Sequence, residues 1–244
     1  IQSRSDRRPP LAAASPAAVA EVSDLIGVCV QDDAQVMAVM DGILAAAQPG
    51  SLVLIHSTVR VATMQALAAK AQGRGVRVID APVSRASGQT TGIVFMVAGE
   101  PGAGRDAQPY LALCAAQVLE TGELGTAMTL KICNNMLTYL QVCGARDVVN
   151  LARAAGLDLA HLTALTAANG IASPSVLRTF QRGGQAFAHA EGDAAVAIER
   201  MGRISEKDLD CALETGHDLG VPLPSALMAR AAIRQAIAAG FEKP

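Results

Sequence analysis

Four short segments hold residue types that could do chemistry. Asp80-Ala81-Pro82-Val83-Ser84 follows an apolar run, Val76 to Ile79, that reads as a strand. Ligands in open α/β sheets bind outside the carboxyl ends of strands. Ser84, placed there, offers a hydroxyl and neighbouring backbone N–H groups to a carboxylate, although the same residues also make an ordinary turn held by Pro82. Gly122-Glu123-Leu124-Gly125 leads to Lys131-Ile132-Cys133-Asn134-Asn135. Lys131 and Asn135 are four apart and share a helix face. A partly enclosed lysine has its pKa lowered toward neutrality and can act as general acid or base. Asn135 could hold both that lysine and a substrate hydroxyl. Alone, K-x-x-x-N reads as a solvated lysine and an asparagine at a helix crossing. Lys207-Asp208-Leu209 alone reads as a charged first helical turn, with Asp208 favourable to the dipole. His56-Ser57-Thr58 alone reads as an N-cap for the next helix.

The elements that must position these residues alternate in the first half. Asp24 to Val30 reads as a buried strand, and Asp32 to Ala47 as a helix opened by two aspartates. Strand Leu52 to Ile55, helix Val61 to Ala71 and strand Val76 to Ile79 follow. After a loop come strand Ile93 to Val97, a helix over Ala107 to Ala116 and a short strand near Gln117 to Leu119. This order implies βαβ units and a mostly parallel sheet. From Thr126 to Ala155 one long helical pattern runs to Gly156, a suitable C-cap. Beyond it all segments are helical: Leu159 to Ala168, Ser175 to Gln181, Asp193 to Met201, Glu206 to Leu219 and Ser225 to Ala239. The expected fold is an α/β Rossmann-type domain over residues 1–125. A long interdomain helix and an all-α substrate and oligomerisation domain then occupy 126–244.

Composition narrows the classes of function. Apolar residues make up 51% of the 244 but aromatics only 2%, so aliphatic side chains do the packing. A net charge of -2 without a basic run or aromatic platform argues against nucleic acid. Apolar stretches break well before the ~18 residues a membrane span needs. Five scattered cysteines (Cys29, Cys114, Cys133, Cys143, Cys211) without C-x-x-C read as buried thiols in a reducing cytoplasm, not as disulfides or metal ligands.

Together the four segments resemble the β-hydroxyacid dehydrogenase family, the group of 3-hydroxyisobutyrate dehydrogenase and tartronate semialdehyde reductase, with 6-phosphogluconate dehydrogenase a distant relative. The resemblance runs over almost the whole chain, carried by DAPVS, the glycine pair before K-x-x-x-N, and KDL. It implies that Lys131 is catalytic and that Ser84 and Asn135 hold substrate. It places Thr58, Lys207 and the Val30-Gln31 segment, usually Leu-Pro, against the cofactor. It implies a nicotinamide cofactor, a small carboxylate substrate, and a homodimer or homotetramer built through the helical domain.

The chain also departs from the family pattern. No G-x-G-x-x-G opens it, and Ile1-Gln2-Ser3-Arg4 is similar to the end of the family's second strand. The expectation is that a first strand, phosphate loop and helix of roughly 30 residues are missing. An arginine at the place of Arg4 commonly binds the 2′-phosphate, which points to NADP, with NAD the other possibility. Gly99 to Gly104 is read as a turn, not as a phosphate loop. Arg85-Ala86 replace two glycines after Ser84, and the loop before Met96 is about two residues short by comparison with the family. Arg85 either binds an additional anionic group or points to solvent. Ala127 replaces a glycine before Lys131, and Ile55 stands where an acidic residue is usual. The reading is hydride transfer between NADP(H) and a small 3-hydroxy acid or its semialdehyde or keto form. The alternatives are an imine reductase of the same architecture and a non-catalytic oligomerising subunit.

Overall fold

A computed structural model describes residues 13–85, 92–181 and 193–238. The chain divides into two compact units, Ile1–Lys131 and Ile132–Pro244.

The first unit is a six-stranded sheet with helices. After a short helix α1 (Pro16–Ala20) come β1 (Leu25–Val28), α2 (Asp33–Ala46), β2 (Leu52–Ile55), α3 (Val61–Gln72) and β3 (Arg77–Asp80). Then follow β4 (Val83–Arg85), β5 (Ile93–Ala98), α4 (Ala103–Leu111) and β6 (Ala115–Gly122). The expected parallel pairing holds for β1–β2, β2–β3 and β5–β6. β5 runs antiparallel to both β3 and β4. The segment after Pro82, expected as a loop, is thus a short strand, formed because β5 supplies its partner.

Alternation sorts the strand residues into two faces. On one, Leu52, Leu54, Ile79, Phe95 and Val97 pack with Ala103, Ala107 and Leu111. α4 therefore lies four residues earlier than its expected start at Ala107, with Pro109 inside it. α2 contributes Val36, Met40, Ile43 and Leu44 to the core, and α3 contributes Met64 and Leu67. Asp32 caps α2 by accepting from the Gln35 N–H at 2.8 Å, with Asp33 in the first turn, as the paired aspartates imply.

The long helix α5 (Thr126–Ala154) leads into the second unit. It ends at Gly156, whose φ of 69° admits a left-handed turn and lets Leu157 N–H donate to Ala152 O. α6 (Leu159–Ala168), α7 (Pro174–Gln181), α8 (Asp193–Asp218) and α9 (Pro224–Ala238) complete the helical unit. One helix, α8, replaces the two expected over this stretch. The interval between them is helical too, and Ser205 Oγ donates to Met201 O within it. Ile198, Leu209, Ala226, Ala229 and Ile233 form the main core here. Val149 and Phe180 anchor a smaller cluster.

None of the five cysteines forms a disulfide, but only Cys211 is buried, while Cys29 and Cys133 are exposed; the expectation of buried thiols fails at those two. Among the described residues no helix is long and apolar enough to cross a membrane, and no group of three or more His, Cys, Asp or Glu could hold a metal ion.

Candidate active site

In the first unit the end of β3 and the segment after β2 meet the start of α5. His56-Ser57-Thr58 leaves β2 here but does not cap α3, whose N-cap, Arg60, makes no side-chain cap bond. Ser57 instead bonds across to β1. Its hydroxyl donates to Val30 O at 2.8 Å and accepts from Val30 N–H at 2.7 Å. The half-buried backbone of Val30 is thereby fixed beside Thr58, also half-buried, while Gln31 is exposed and donates its N–H to Gln35 Oε1 at 3.1 Å. The structure thus brings together the β1 and β2 residues expected to border a cofactor.

His56 is buried. Its Nδ1 lies 2.7 Å from Ala81 O, and because a carbonyl only accepts, Nδ1 carries the proton. Nε2 then accepts from the Tyr110 hydroxyl at 2.8 Å. Burial pushes the His56 pKa down, partly opposed by the bond to Ala81. The ring stacks on Tyr110 and meets Phe95 edge-on, filling the sheet face beneath Ala81-Pro82.

Asp80, at the end of β3, has its side chain fully buried. One oxygen accepts from Gly125 N–H at 3.0 Å and the other from Met128 N–H at 2.8 Å. Burial raises its pKa and these N–H groups pull it back down, leaving a net rise. Ala127 packs against Met96 and Ala98, so the methyl absent from the family's usual glycine fills core space. Lys131, half-buried, lies one turn beyond Met128. Ser84 is half-buried in β4, paired with Val94. Arg85 belongs to the same strand, opposite Ile93. Arg4 lies outside the described residues. Gly99 to Gly104 is the turn into α4, as expected. Glu100 within it and Asp106 in α4 both pair with Arg77.

In the second unit Asn135 is buried and donates its amide to Asp208 Oδ2 at 2.7 Å. The Tyr139 hydroxyl donates to the same oxygen at 2.9 Å. Burial and the adjacent Asp208 raise the Tyr139 pKa strongly, so the phenol stays protonated. Lys207 Nζ lies 2.7 Å from Asp208 Oδ1, an ion pair not aligned as a hydrogen bond. Asp208 thus stands in the middle of α8, buried, not in an exposed first turn, and its dipole role falls away. The geometry brings Asn135 and Lys207 to one carboxylate. Asp80, Ser57 and Asp208 carry connections that no local spacing announced; only their places inside DAPVS, HST and KDL marked them.

A sheet whose strand ends carry these polar side chains, followed by a helical unit, has the architecture of a nicotinamide-dependent oxidoreductase. Residues 6–125 match the family described as the NAD binding domain of 6-phosphogluconate dehydrogenase. Residues 125–243 match the family described as NAD-binding of NADP-dependent 3-hydroxyisobutyrate dehydrogenase. An uncharacterized oxidoreductase of Mycobacterium tuberculosis is 32% identical over 238 residues, 96% of this chain and 79% of the relative. Mitochondrial 3-hydroxyisobutyrate dehydrogenase of Rattus norvegicus is 34% identical over 151 residues, 60% of this chain and 45% of the relative. The crystal structure of 3-hydroxyisobutyrate dehydrogenase from Salmonella typhimurium superposes with a TM-score of 0.75 at 26% identity, covering 91% of this chain and 76% of that one. The chain belongs to the β-hydroxyacid dehydrogenase family, a family of NAD(P)-dependent dehydrogenases and reductases.

Proposed function

We propose that this protein transfers a hydride between NADP(H) and a small 3-hydroxy acid or its semialdehyde or keto form, with Lys131 as general acid and base. One observation carries the reading. Lys131 stands on the second turn of a helix whose amino end is bonded to the carboxyl end of β3, where ligands of α/β sheets bind.

A bound nicotinamide would supply the hydride donor or acceptor. The residues present fit its approach: Thr58 and the Val30-Gln31 turn sit at the ends of adjacent parallel strands, with Val30 locked by Ser57. Lys207 would lie along the cofactor, and Arg4 would meet a 2′-phosphate. Lys131 would take the proton of the substrate hydroxyl during oxidation and return it during reduction. Ser84, Asn135 and Arg85 would hold the carboxylate. Exposed Leu151, Leu165, Ile171 and Leu227 of the helical unit support a homodimer or homotetramer.

The test is a spectrophotometric assay of NADPH and NADH oxidation with small semialdehydes, 2-methyl-3-oxopropanoate first, and with a cyclic imine. Turnover of a semialdehyde is expected, faster with NADPH. Lys131→Ala should lower it ~10²–10⁴-fold, the range of general acid–base catalysis. Lys131→Arg should not restore it, because guanidinium keeps its proton. Turnover of the imine alone, or full activity in Lys131→Ala, would overturn the proposal.

A further inference from the structure

Asp80 is an unusual helix cap. The first N–H groups of a helix need acceptors, and a side chain just before the helix normally supplies one. Here the acceptors come from a carboxylate 45 and 48 residues upstream, at the end of β3, and one carboxylate serves two donors. Nearby packing fixes the same junction. Met128 Sδ lies 3.4 Å from Val59 N. Gly125 has a φ of 95°, and a β-carbon there would come within 2.9 Å of Val61 Cγ1. The start of α5 therefore sits directly on the strand ends, and Asp80 is its polar fastening. Four residues after Asp80 the chain reaches Ser84, and three residues after Met128 it reaches Lys131. The carboxylate is joined by short, regular backbone to both: β4 holds Ser84 in register with Val94, and one helical turn leads to Lys131.

We propose that Asp80 is a positioning residue for the reaction, clamping the first turn of α5 to the end of β3 so that Lys131 and Ser84 keep a fixed separation. This rests on the reading of Lys131 and Ser84 given under the proposed function. A clamp of this kind makes no contact with substrate. It matters because a misplacement of about 1 Å at a reacting group can cost ~10²-fold in rate. Asparagine fits the same space but presents an NH2 to one of the two N–H donors, so Asp80→Asn breaks one arm of the clamp without removing bulk.

The experiment compares the parent with Asp80→Asn, and with Leu111→Ala as a control that loosens the opposite sheet face. Amide hydrogen exchange is followed at Gly125 to Lys131 and across β1 and β2. Cofactor affinity, KM and kcat per folded molecule are measured alongside. In Asp80→Asn, exchange over Gly125 to Lys131 should accelerate at least tenfold while β1 and β2 change less than twofold. The kcat should fall ten- to a hundredfold, with cofactor Kd within twofold of the parent. Leu111→Ala should speed exchange across the sheet and leave kcat per folded molecule unchanged. Should Asp80→Asn not fold, Asp80→Glu, which keeps both acceptors but displaces them, takes its place with the same expectations in smaller degree. Unchanged exchange at Gly125 to Lys131, or faster exchange with unchanged kcat, overturns the proposal. Full turnover in Lys131→Ala would instead sink the reading of the catalytic lysine, while the exchange data would still decide the clamp. Where the parent turns over no semialdehyde, the clamp is judged on exchange alone.

Discussion

Asn135 donates its amide to the carboxylate of Asp208, 73 residues away in sequence, at 2.7 Å. The other oxygen of that carboxylate faces Lys207. A residue proposed to hold substrate and one proposed to lie along the cofactor thus answer to a single buried acid. Removing the acid takes the shared acceptor from Asn135 and Tyr139 and one ion-pair partner from the largely buried Lys207.

Asp208→Ala should therefore destabilise the helical unit by about 3 kcal/mol, the lower end of the cost of breaking a buried ion pair. Asp208→Asn, which keeps one acceptor, should cost about 1–2 kcal/mol. Urea unfolding followed by circular dichroism measures both. A loss below about 0.5 kcal/mol for the alanine variant, the range of an ordinary surface change, would show that the network carries little stability.

Ser57→Ala removes a hydroxyl that both donates to and accepts from Val30. The Val30 N–H and C=O lose their partner, at a cost of about 1–3 kcal/mol. The expected signature is local: the turn after β1 loosens and the dinucleotide binds more weakly, while the amides of β3 and β5 exchange as before. Calorimetry with NADPH and NADH tests it, and unchanged affinity for both would refute it.

His56 gives stability a pH dependence of definite sign. Burial lowers its folded-state pKa below the ordinary 6.5. Between that lowered value and 6.5 the unfolded chain binds more protons than the folded one, so stability rises with pH there. The contribution is fully present above 6.5 and is lost as pH falls through the window toward the folded value, with a slope of at most ~1.4 kcal/mol per pH unit. His56→Gln should flatten that slope. Thermal midpoints from pH 5 to 8 provide the measurement, and equal slopes in parent and variant would rule out His56 as the source.

Gly27 lies where Tyr110 approaches β1. A β-carbon there would collide with the Tyr110 hydroxyl and come within 2.9 Å of His56 Nε2. Burial pushes the Tyr110 pKa up to about 12. Gly27→Ala should drive the phenol off His56 into water and bring its titration back toward the ordinary value of about 10. Ultraviolet difference titration of the phenolate reads this directly. Tyr139, with its pKa raised further, stays silent over that range. A Tyr110 titration unmoved by the substitution would mean the strand yields instead of the ring.

The comparison of sequence with structure is instructive at particular residues. Leu52–Ile55 and Leu159–Ala168 are legible to the residue, because an unbroken apolar run and a capped helical pattern are each local signals. β4 is not legible, because a strand of three residues exists by virtue of pairing with β5. α8 is expected as two helices, Asp193 to Met201 and Glu206 to Leu219, and is one. In the fold the Ser205 hydroxyl is satisfied within its own helix, and Gly202 faces the Arg234 stem of α9. Ser84, Lys131 and Asn135 are singled out by residue type and spacing and Arg85 by its departure from the family pattern, whereas Arg4, Val30, Gln31, Thr58 and Lys207 are named through family resemblance alone. What escapes altogether is the acid behind them. Asp80 and Asp208 act through donors 45 to 73 residues distant, and nothing in the neighbourhood of either announces its partner.

The unbroken run of α8 from Asp193 to Asp218 has a bearing on how this chain can vary in length. Each residue of a helix turns it by about 100° and advances it by about 1.5 Å. One residue inserted between Ile198 and Lys207 would carry either the upstream or the downstream side chains around the axis. Ile198 would leave the core shared with Leu209, or Asp208 would swing away from Asn135. The same residue added between Leu219 and Leu223, outside any helix, turns neither α8 nor α9. Substitution and indel tolerance therefore part company here: α8 can accept many changes of side chain along its exposed face, yet its residue count is locked from both ends.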